Sequence, residues 1–272
     1  MKFLIIYLNI LVFNEMNCNS FFIFCHQDDE FGLFNVIENA TQKQKNVFVI
    51  YLTTGLKNKN ENNKIKLQKR DLESIKILLK LGVKKKNIIF LGKKLNIPVY
   101  KLSNYLNEAY QKIIYILKKN KGKHIIYTHA WEGGNEDHDA CYVIVKKILC
   151  NNIKVIKCFE FSQYHNYRTK IFPFKVHKFI SDKRKIYRTK INFYNKLRYI
   201  RYLFNYFSQL YIWFPIFPFI IIRIFMNDYG NLKIVKTNLN IKKPHRGILL
   251  YEKLRLKKYS YFKKFFLNFL SN

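Results

Sequence analysis

A histidine and three carboxylates lie together in the pentapeptide His26-Gln27-Asp28-Asp29-Glu30. The pentapeptide directly follows residues 20–25, Ser-Phe-Phe-Ile-Phe-Cys, which are apolar at nearly every position. Such a run is typical of a strand buried on both faces of a parallel sheet, and open α/β sheets bind ligands at the carboxyl ends of such strands. An imidazole and carboxylates at that place can hold a metal ion. The other interpretation is a solvated turn whose acids cap the next helix.

A second cluster follows another short strand candidate. Residues 124–127 are His-Ile-Ile-Tyr, and residues 128–140 read Thr-His-Ala-Trp-Glu-Gly-Gly-Asn-Glu-Asp-His-Asp-Ala. Gly133 and Gly134 permit positive φ and close backbone approach, so the loop can turn back over an ion or substrate. We expect the helical pattern after it to begin at Ala140.

Two strand ends of one sheet would bring these clusters together. His26, Asp29 and His138 would then supply two nitrogens and one oxygen, which is the ligand set of a catalytic zinc with an open position. A lone histidine is more often structural, so the prediction depends on the combination.

The two motifs resemble those of the LmbE/PIG-L family of zinc-dependent N-acetylglucosaminyl deacetylases. The family pattern is His-x-Asp-Asp-Glu after the first strand and Glu-Gly-Gly-x-x-Asp-His-Asp-Ala later in the chain. Other segments are similar to family sequences as well: Arg70 to Glu73, Leu81 to Val83, Asn87 to Gly92, Phe159 to His165, Tyr206 to Gln209, Pro244 to Gly247, and Tyr251 with Glu252. The resemblance extends discontinuously over about residues 20 to 265.

The resemblance implies that His26, Asp29 and His138 bind Zn²⁺, or another divalent transition metal such as Fe²⁺. It assigns Asp28 as the general base for the attacking water. The implied reaction removes the acetyl group from an N-acetylated sugar conjugate and releases acetate. These roles suit the residue types, because a metal polarises the amide carbonyl and a nearby carboxylate accepts one proton.

The chain departs from the family pattern at two positions. Gln27 replaces the usual proline, which makes the loop less preorganised but removes no ligand. Asn135 stands where members usually carry a histidine that stabilises the tetrahedral intermediate. An amide can donate a hydrogen bond to an oxyanion but carries no charge. Turnover is then slower, or His129 substitutes, or the chain is an inactive descendant.

Three further residues are candidates for substrate binding. Arg70 and Glu73, three apart, share a helix face and form either a surface salt bridge or a site in which Arg70 grips the loop around the sugar pocket. Tyr164 and His165 follow the fifth strand candidate and either line the sugar site or pack as part of an aromatic cluster.

The alternation of strands and helices predicts a Rossmann-like α/β domain, with a mostly parallel sheet, helices on both faces and a helical or irregular C-terminal extension. Residues 20–272 are expected to form one domain, with a C-terminal cover from about residue 182. The predicted strands are Phe21 to Cys25, Val47 to Thr53, Ile88 to Leu91, Ile125 to Thr128 and Val155 to Phe161. The predicted helices are Gly32 to Thr41, Lys64 to Leu81, Leu102 to Lys119 and Ala140 to Leu149.

The second half is less regular. Asp182 to Leu210 reads as a basic helical stretch, and its aromatic and apolar residues are predicted to form a core-facing stripe: Tyr187, Phe193, Tyr194 and Leu197. Tyr211 to Met226 is strongly apolar but short and broken by prolines. It fits a buried lid over the active-site cleft or a segment lying at a membrane interface.

The formal charge of +33 is extreme, but lysine is spread throughout the chain, so no specific nucleic-acid partner is expected. Five cysteines without paired spacing favour a reducing compartment. Residues 1–19 contain an apolar run, 3–13, that fits an extra strand, an anchor or a signal core. We predict a cytoplasmic protein with possible peripheral membrane contact through residues 211–226 or 3–13. The competing hypothesis is a basic membrane- or nucleic-acid-binding protein that has lost the chemistry.

Overall fold

A parallel sheet forms the centre of the chain. The computed structural model describes residues 18–43, 46–57, 61–151, 153–170, 173–226, 228–238, 241–255 and 257–271. The strands are β1 (Asn19–Phe24), β2 (Asn46–Tyr51), β3 (Ile88–Phe90), β4 (His124–His129), β5 (Val155–Phe161), β6 (Tyr164–His165), β7 (Lys175–Val176) and β8 (Lys233–Ile234). In the main sheet the order is β3-β2-β1-β4-β5-β8, with β8 antiparallel to β5, while β6 and β7 form a separate antiparallel pair. This is the predicted α/β fold.

Helices cover both faces of the sheet. They are α1 (Phe34–Lys43), α2 (Glu61–Lys80), α3 (Leu91–Leu95), α4 (Leu106–Lys119), α5 (Glu136–Ile148), α6 (Phe193–Leu203), α7 (Leu210–Trp213), α8 (Phe217–Phe225), α9 (Leu250–Arg255) and α10 (Tyr259–Ser271). One apolar cluster joins α4, α5 and α10 to one face, and another joins α1, α2, α6 and α8 to the opposite face. Alternate residues of β1 serve the two clusters, which explains why the strand is apolar throughout.

The site lies where the central strands end. β1 occupies the middle of the sheet and pairs in parallel with β2 on one side and β4 on the other. The order of connections reverses between β1 and β4, and such a switch point opens a crevice at the carboxyl ends of the strands. The floor loop, which we define as residues 25–30, and the loop before α5 both open into that crevice.

The second half corrects two predictions. Of the predicted helix Asp182 to Leu210, only α6 is an α-helix, while Tyr187 forms an isolated bridge with Leu232. The predicted core stripe is wrong, because Tyr187, Phe193, Tyr194 and Leu197 are exposed. The buried face of α6 consists of Tyr199, Tyr202 and Leu203.

No helix in the described part of the chain is both long and apolar enough to cross a membrane. The apolar run 3–13 lies outside the described residues.

Candidate metal centre

The floor loop folds back on its own carboxylates. One oxygen of Asp29, Oδ2, accepts hydrogen bonds from the backbone N–H of Cys25 at 3.0 Å and of His26 at 2.7 Å. Glu30 accepts from the N–H of Asp28 at 3.1 Å. Asp28 has φ of 146°, a strained conformation for a residue with a side chain. This turn separates the two aspartates, so that Asp29 joins the histidines while Asp28 lines the neighbouring cavity.

The three predicted metal ligands lie together. Donor atoms of His26, Asp29 and His138 are all within 4.8 Å of one another. His138 Nε2 lies 3.2 Å from Asp29 Oδ1, and His26 Nδ1 lies 3.6 Å from Asp29 Oδ2. His138 Nε2 is buried and makes no hydrogen bond within the described residues. A buried nitrogen without a hydrogen bond, aimed at a carboxylate, fits a metal ion as the missing partner.

A further carboxylate orients His26. Asp137 accepts from His26 Nε2 at 3.0 Å and from two backbone N–H groups, of Tyr100 at 2.6 Å and of Leu102 at 3.1 Å. This contact leaves His26 Nδ1 to face Asp29, as expected of a ligand histidine held by an outer carboxylate. Burial opposes charge on His26, but Asp29 and Asp137 outweigh it and raise the pKa well above its usual value. A bound cation would displace that proton.

His129 lies behind the ligands. Its Nε2 is 3.1 Å from Asp29 Oδ2, and its ring stacks on His138 at 3.8 Å between centroids. Burial, with His138 beside it, lowers the pKa of His129 to about 4. The neutral ring therefore donates to Asp29. His129 is fully buried and is not among the cavity-lining residues, so its predicted role as a substitute oxyanion donor does not fit.

Cys25, Asp29 and His129 form a second group with metal-ligand spacing. Burial raises the pKa of the Cys25 thiol well above its ordinary value, and the thiol donates to the carbonyl of Asp137 at 3.0 Å. Because thiolates rather than thiols bind metals, this group fits an ion less well.

The loop before α5 is shaped by glycines and by a missed carboxylate. Gly133 has φ of 70°, and a Cβ on Gly134 would lie 1.9 Å from the carbonyl oxygen of Tyr164. Glu132 accepts from Ser162 Oγ at 2.6 Å and from the backbone N–H of Gln163 and of Tyr164 at 2.8 and 2.9 Å. Glu132 thereby connects the loop before α5 to residues 162–164, which follow β5. The sequence feature that points to Glu132 is its place at the start of the Glu-Gly-Gly segment.

Asn135 begins α5 as its N-cap. The helix starts at Glu136, four residues before the predicted Ala140. The side-chain oxygen of Asn135 accepts from the N–H of Asp137 at 2.9 Å, while its Nδ2 lies 3.4 Å from Tyr164 Oη. Asn135 also lines the cavity. The same side chain is therefore a helix cap and a candidate hydrogen-bond donor to substrate.

Arg70 grips the floor loop. Its guanidinium donates to the carbonyls of Gly55 and Gln27 and lies 3.5 Å from Asp28 Oδ1. The surface salt bridge with Glu73 is wrong, because both side chains are buried and Glu73 accepts from the N–H of Ser208 at 2.9 Å.

Gln27 also differs from expectation. Its buried side chain donates to the carbonyl of Thr54 at 3.2 Å and to Asp71 at 2.9 Å. These bonds anchor the loop where the family has proline.

The cavity beside the ligands has a volume of about 240 Å³. His26, Asp28, Asp29, Arg70, Asn135 and Tyr164 line its polar side. Its outer wall is apolar and consists of Phe31, Val99, Tyr100, Phe174, Pro215, Ile216, Leu250 and Leu254, with Gln209 completing the lining. His165 is not part of the lining. Its Nε2 hydrogen-bonds the carbonyl of Lys178 at 2.6 Å and its Nδ1 accepts from the N–H of Tyr167, so His165 packs rather than binds substrate.

Residues 21–149 match the family described as PIG-L: GlcNAc-PI de-N-acetylase. Residues 21–149 therefore form a PIG-L family domain. The match runs from β1 to just past α5 and includes all three candidate ligands. It ends before Tyr164 and the later segments.

Solved structures share the fold of this chain. N,N'-diacetylchitobiose deacetylase from Pyrococcus horikoshii has a TM-score of 0.59 and 17% identity, over 84% of this chain and 87% of that one. A deacetylase from the biosynthesis pathway of teicoplanin has a TM-score of 0.54 and 14% identity, over 79% and 96%. The zinc inhibited form of teicoplanin deacetylase Orf2 has a TM-score of 0.52 and 14% identity, over 71% and 85%. No curated protein sequence matches the chain.

The segment Tyr206 to Gln209 links the second half of the chain to the PIG-L site. Tyr206 Oη donates to Glu30 at 2.8 Å, and Gln209 lines the cavity. Since Glu30 also holds the backbone of Asp28, the second half supports the floor loop directly.

Acidic side chains are concentrated in the interior of the protein. Of its 17 Asp and Glu residues, eleven are buried within the described part: Asp28, Asp29, Glu30, Glu38, Asp71, Glu73, Glu132, Glu136, Asp137, Asp139 and Glu160. Only three Lys or Arg residues are buried in the same part: Arg70, Lys146 and Lys233. The surface is therefore more strongly positive than the composition alone indicates.

Proposed function

We propose that the chain is a metal-dependent amide hydrolase that removes the acetyl group from an N-acetylglucosamine-type conjugate and releases acetate. The observation that carries the proposal is the set of His26, Asp29 and His138 donor atoms, within 4.8 Å of one another beside a cavity that Asp28 also lines. Membership of a de-N-acetylase family supports the reaction class. Zn²⁺ suits the two imidazoles and one carboxylate.

In this proposal His26, Asp29 and His138 hold the ion. A bound divalent ion would polarise the acetamido carbonyl and make water a stronger nucleophile. Asp28 accepts the proton of the attacking water and returns it to the departing sugar amine. Arg70, 3.5 Å from Asp28, orients that carboxylate.

Asn135 and Tyr164 are proposed to position the substrate. Asn135 Nδ2 faces the cavity and can donate to the carbonyl oxygen as negative charge develops there. Tyr164 lines the cavity, and its ring lies 5.6 Å from the ring of His138, close enough to pack against the sugar ring that carries the reacting amide.

We further propose that residues 20–272 act as one domain, with the part from about residue 182 covering the site. Support comes from the two apolar clusters, each of which combines side chains of the sheet half with side chains of the second half.

The test combines metal content with acetate release. The purified chain should contain about one divalent ion and release acetate from at least one of a panel of N-acetylglucosamine conjugates. His138→Ala should lose both properties. Cys25→Ser is the matched control, since it alters the competing group of candidate ligands and should keep the ion. Full metal content in His138→Ala, or no acetate release by the metal-loaded chain from any conjugate, would contradict the proposal.

A further inference from the structure

A group of exposed apolar side chains adjoins the cavity. We define the rim patch as Phe207, Leu210, Tyr211, Phe214, Pro215 and Leu254. Tyr211 is 94% exposed, Phe214 77%, Leu254 67% and Phe207 66%. Single exposed apolar residues are ordinary, but a group of large ones beside a cavity usually marks an interaction surface.

The rim patch is continuous with the cavity wall. Pro215 and Leu254 line the same cavity as Asp28 and Asp29. Whatever covers the patch therefore covers the entrance to the metal centre. Of the segment predicted as a buried lid, Ile220 and Ile224 are buried, whereas Tyr211 and Phe214 point to solvent.

Exposed lysines lie beside the cavity lining and beside one residue of the patch. Lys57 lies over the ring of Tyr100, a cavity residue, at 5.5 Å. Lys170 shares a shallow depression with Phe174, another cavity residue. Lys253 adjoins Leu254 in α9. All three lysines are exposed. An apolar centre bordered by cations matches the structure of an anionic bilayer surface, in which acyl chains lie beneath negative headgroups.

We propose that the rim patch docks on an anionic lipid bilayer, with the cavity entrance facing the membrane. The apolar side chains enter the boundary between headgroups and acyl chains while the lysines contact lipid phosphates and carboxylates. A net charge of +33, with eleven acidic residues buried, attracts such a surface and repels a second copy of the same chain. Leu210, Pro215 and Leu254 are aliphatic and offer no face on which a base can stack, whereas binding of single-stranded nucleic acid relies on aromatic stacking and cations.

Vesicle flotation of the full chain tests this proposal without reference to catalysis. The chain should bind vesicles of phosphatidylcholine mixed with phosphatidylserine and bind pure phosphatidylcholine at least about tenfold more weakly. Raising the salt to about 1 M shortens the Debye length to about 3 Å and should weaken binding further.

Tyr211→Ser combined with Phe214→Ser should reduce binding to the mixed vesicles by about tenfold or more. Leu79→Ser combined with Tyr115→Ser is the matched control, because it removes two exposed apolar side chains that do not line the cavity and should bind like the parent. His138→Ala should also keep vesicle binding, which separates docking from the proposed reaction.

Three outcomes would overturn the proposal. These are unchanged vesicle binding in the rim variant, equal binding to neutral and anionic vesicles, and an equal loss of binding to single-stranded DNA in the rim variant. The first would place any membrane contact elsewhere in the chain, and the last would indicate a nucleic-acid surface instead.

Discussion

All six residues of the floor loop, 25–30, are buried, whereas the segment that borders the cavity entrance, 207–226, exposes 94% of Tyr211 and 77% of Phe214. In the floor loop, backbone N–H groups and side chains bond to the carboxylates of Asp29 and Glu30. The entrance segment instead consists mainly of large apolar side chains. Both regions contribute residues to the lining of one cavity.

The difference indicates that the floor loop holds the candidate metal ligands in place, whereas the entrance segment controls what reaches them. Hydrogen bonds to carboxylates fix atoms within a few tenths of an ångström, which a metal centre requires. Exposed apolar side chains hold few neighbouring atoms in place, but they determine which molecules or surfaces can bind beside the cavity.

The two regions are linked through neighbouring residues. Tyr206, next to the entrance segment, bonds to Glu30. Arg223 of the entrance segment donates to the carbonyl of Val176. The ring of the next residue, His177, lies 5.4 Å from the ring of Phe31, next to the floor loop. Substitutions in the floor loop, at the contacts that link the two regions and beside the cavity should therefore differ in their effects on activity, metal content and stability.

The largest effect is expected at Asp28. Asp28→Asn should lower kcat by ~10²- to 10⁴-fold while leaving the metal content unchanged, because an amide cannot accept the proton of the attacking water. The measurement is acetate release alongside metal analysis of the same preparation.

Asp29→Asn is the matched substitution for Asp28→Asn, since the two residues are adjacent and isosteric changes are made in both. It should lose the ion, because it removes the charge at the centre of the ligand set. Equal metal loss in both variants would show that the two carboxylates have been assigned wrongly.

The next effect is expected at His177 and concerns the dependence of folding stability on pH. Burial, with Arg223 adding to it, lowers the pKa of His177 to about 4. The unfolded chain takes up this proton below pH ~6.5, whereas the folded chain stays neutral down to about 4. The contribution of His177 to the free energy of unfolding is therefore fully present above pH ~6.5. Up to about 3 kcal/mol of it is lost as the pH falls from ~6.5 to about 4.

His177→Asn should remove this part of the pH dependence, as measured by urea unfolding at several pH values. Asn suits the site, because it tolerates the φ of 50° there and can still donate to the carbonyl of Ser162. His165, whose pKa burial also lowers to about 4, stays in both proteins and cancels in the comparison. Parallel stability curves for the two proteins would contradict the assignment.

Local sequence patterns predict that His26, Asp29 and His138 lie together, and the structure brings their donor atoms within 4.8 Å of one another. Their role as metal ligands stays a prediction. β5 has the predicted bounds, and β1 and β2 differ from prediction by one or two residues at each end, since strands buried on both faces are unbroken apolar runs. The partners that hold the ligands were missed. Gln163 reaches Asp29 across 134 residues of chain, and no local pattern encodes such a contact.

The second half was harder to predict for a physical reason. In α6 the sequence Phe-Tyr-Asn-Lys-Leu-Arg-Tyr-Ile-Arg-Tyr-Leu places aromatic or apolar residues on every face, so hydrophobic periodicity does not choose the buried side. Packing against Phe34 and Tyr229 selects Tyr199. Tyr211 to Met226 is apolar at most positions, so its sequence likewise does not show which residues face the core.

A smaller effect is expected where the two regions touch. Tyr206→Phe removes the hydrogen bond to Glu30, whose pKa burial raises to about 7, so that the carboxyl is only partly ionised near neutral pH. The free energy of unfolding should therefore fall by about 1.5 kcal/mol, between the typical contributions of bonds to neutral and to charged groups. Tyr211→Phe is the control, because this hydroxyl belongs to an almost fully exposed side chain and should change stability by less than about 0.5 kcal/mol. Equal stability of the two variants in urea unfolding would mean that the second half does not hold the floor loop.

The smallest and most specific effect is expected at Asn135. Asn135→His would place a charged donor beside the acetamido oxygen and should raise kcat about fivefold with little change in KM, since the interaction strengthens only as charge develops. The same change removes the N-cap of α5 and should cost about 1 kcal/mol of stability. Asn135→Asp separates these effects, because it keeps the cap but replaces the amide donor with a carboxylate, and it should lower kcat at nearly unchanged stability. An unchanged or lower kcat in Asn135→His, with metal content and folding intact, would mean that the loop before α5 is shaped for a substrate whose oxyanion lies elsewhere. His129 would not explain that outcome, because it lies behind Asp29 and outside the cavity lining.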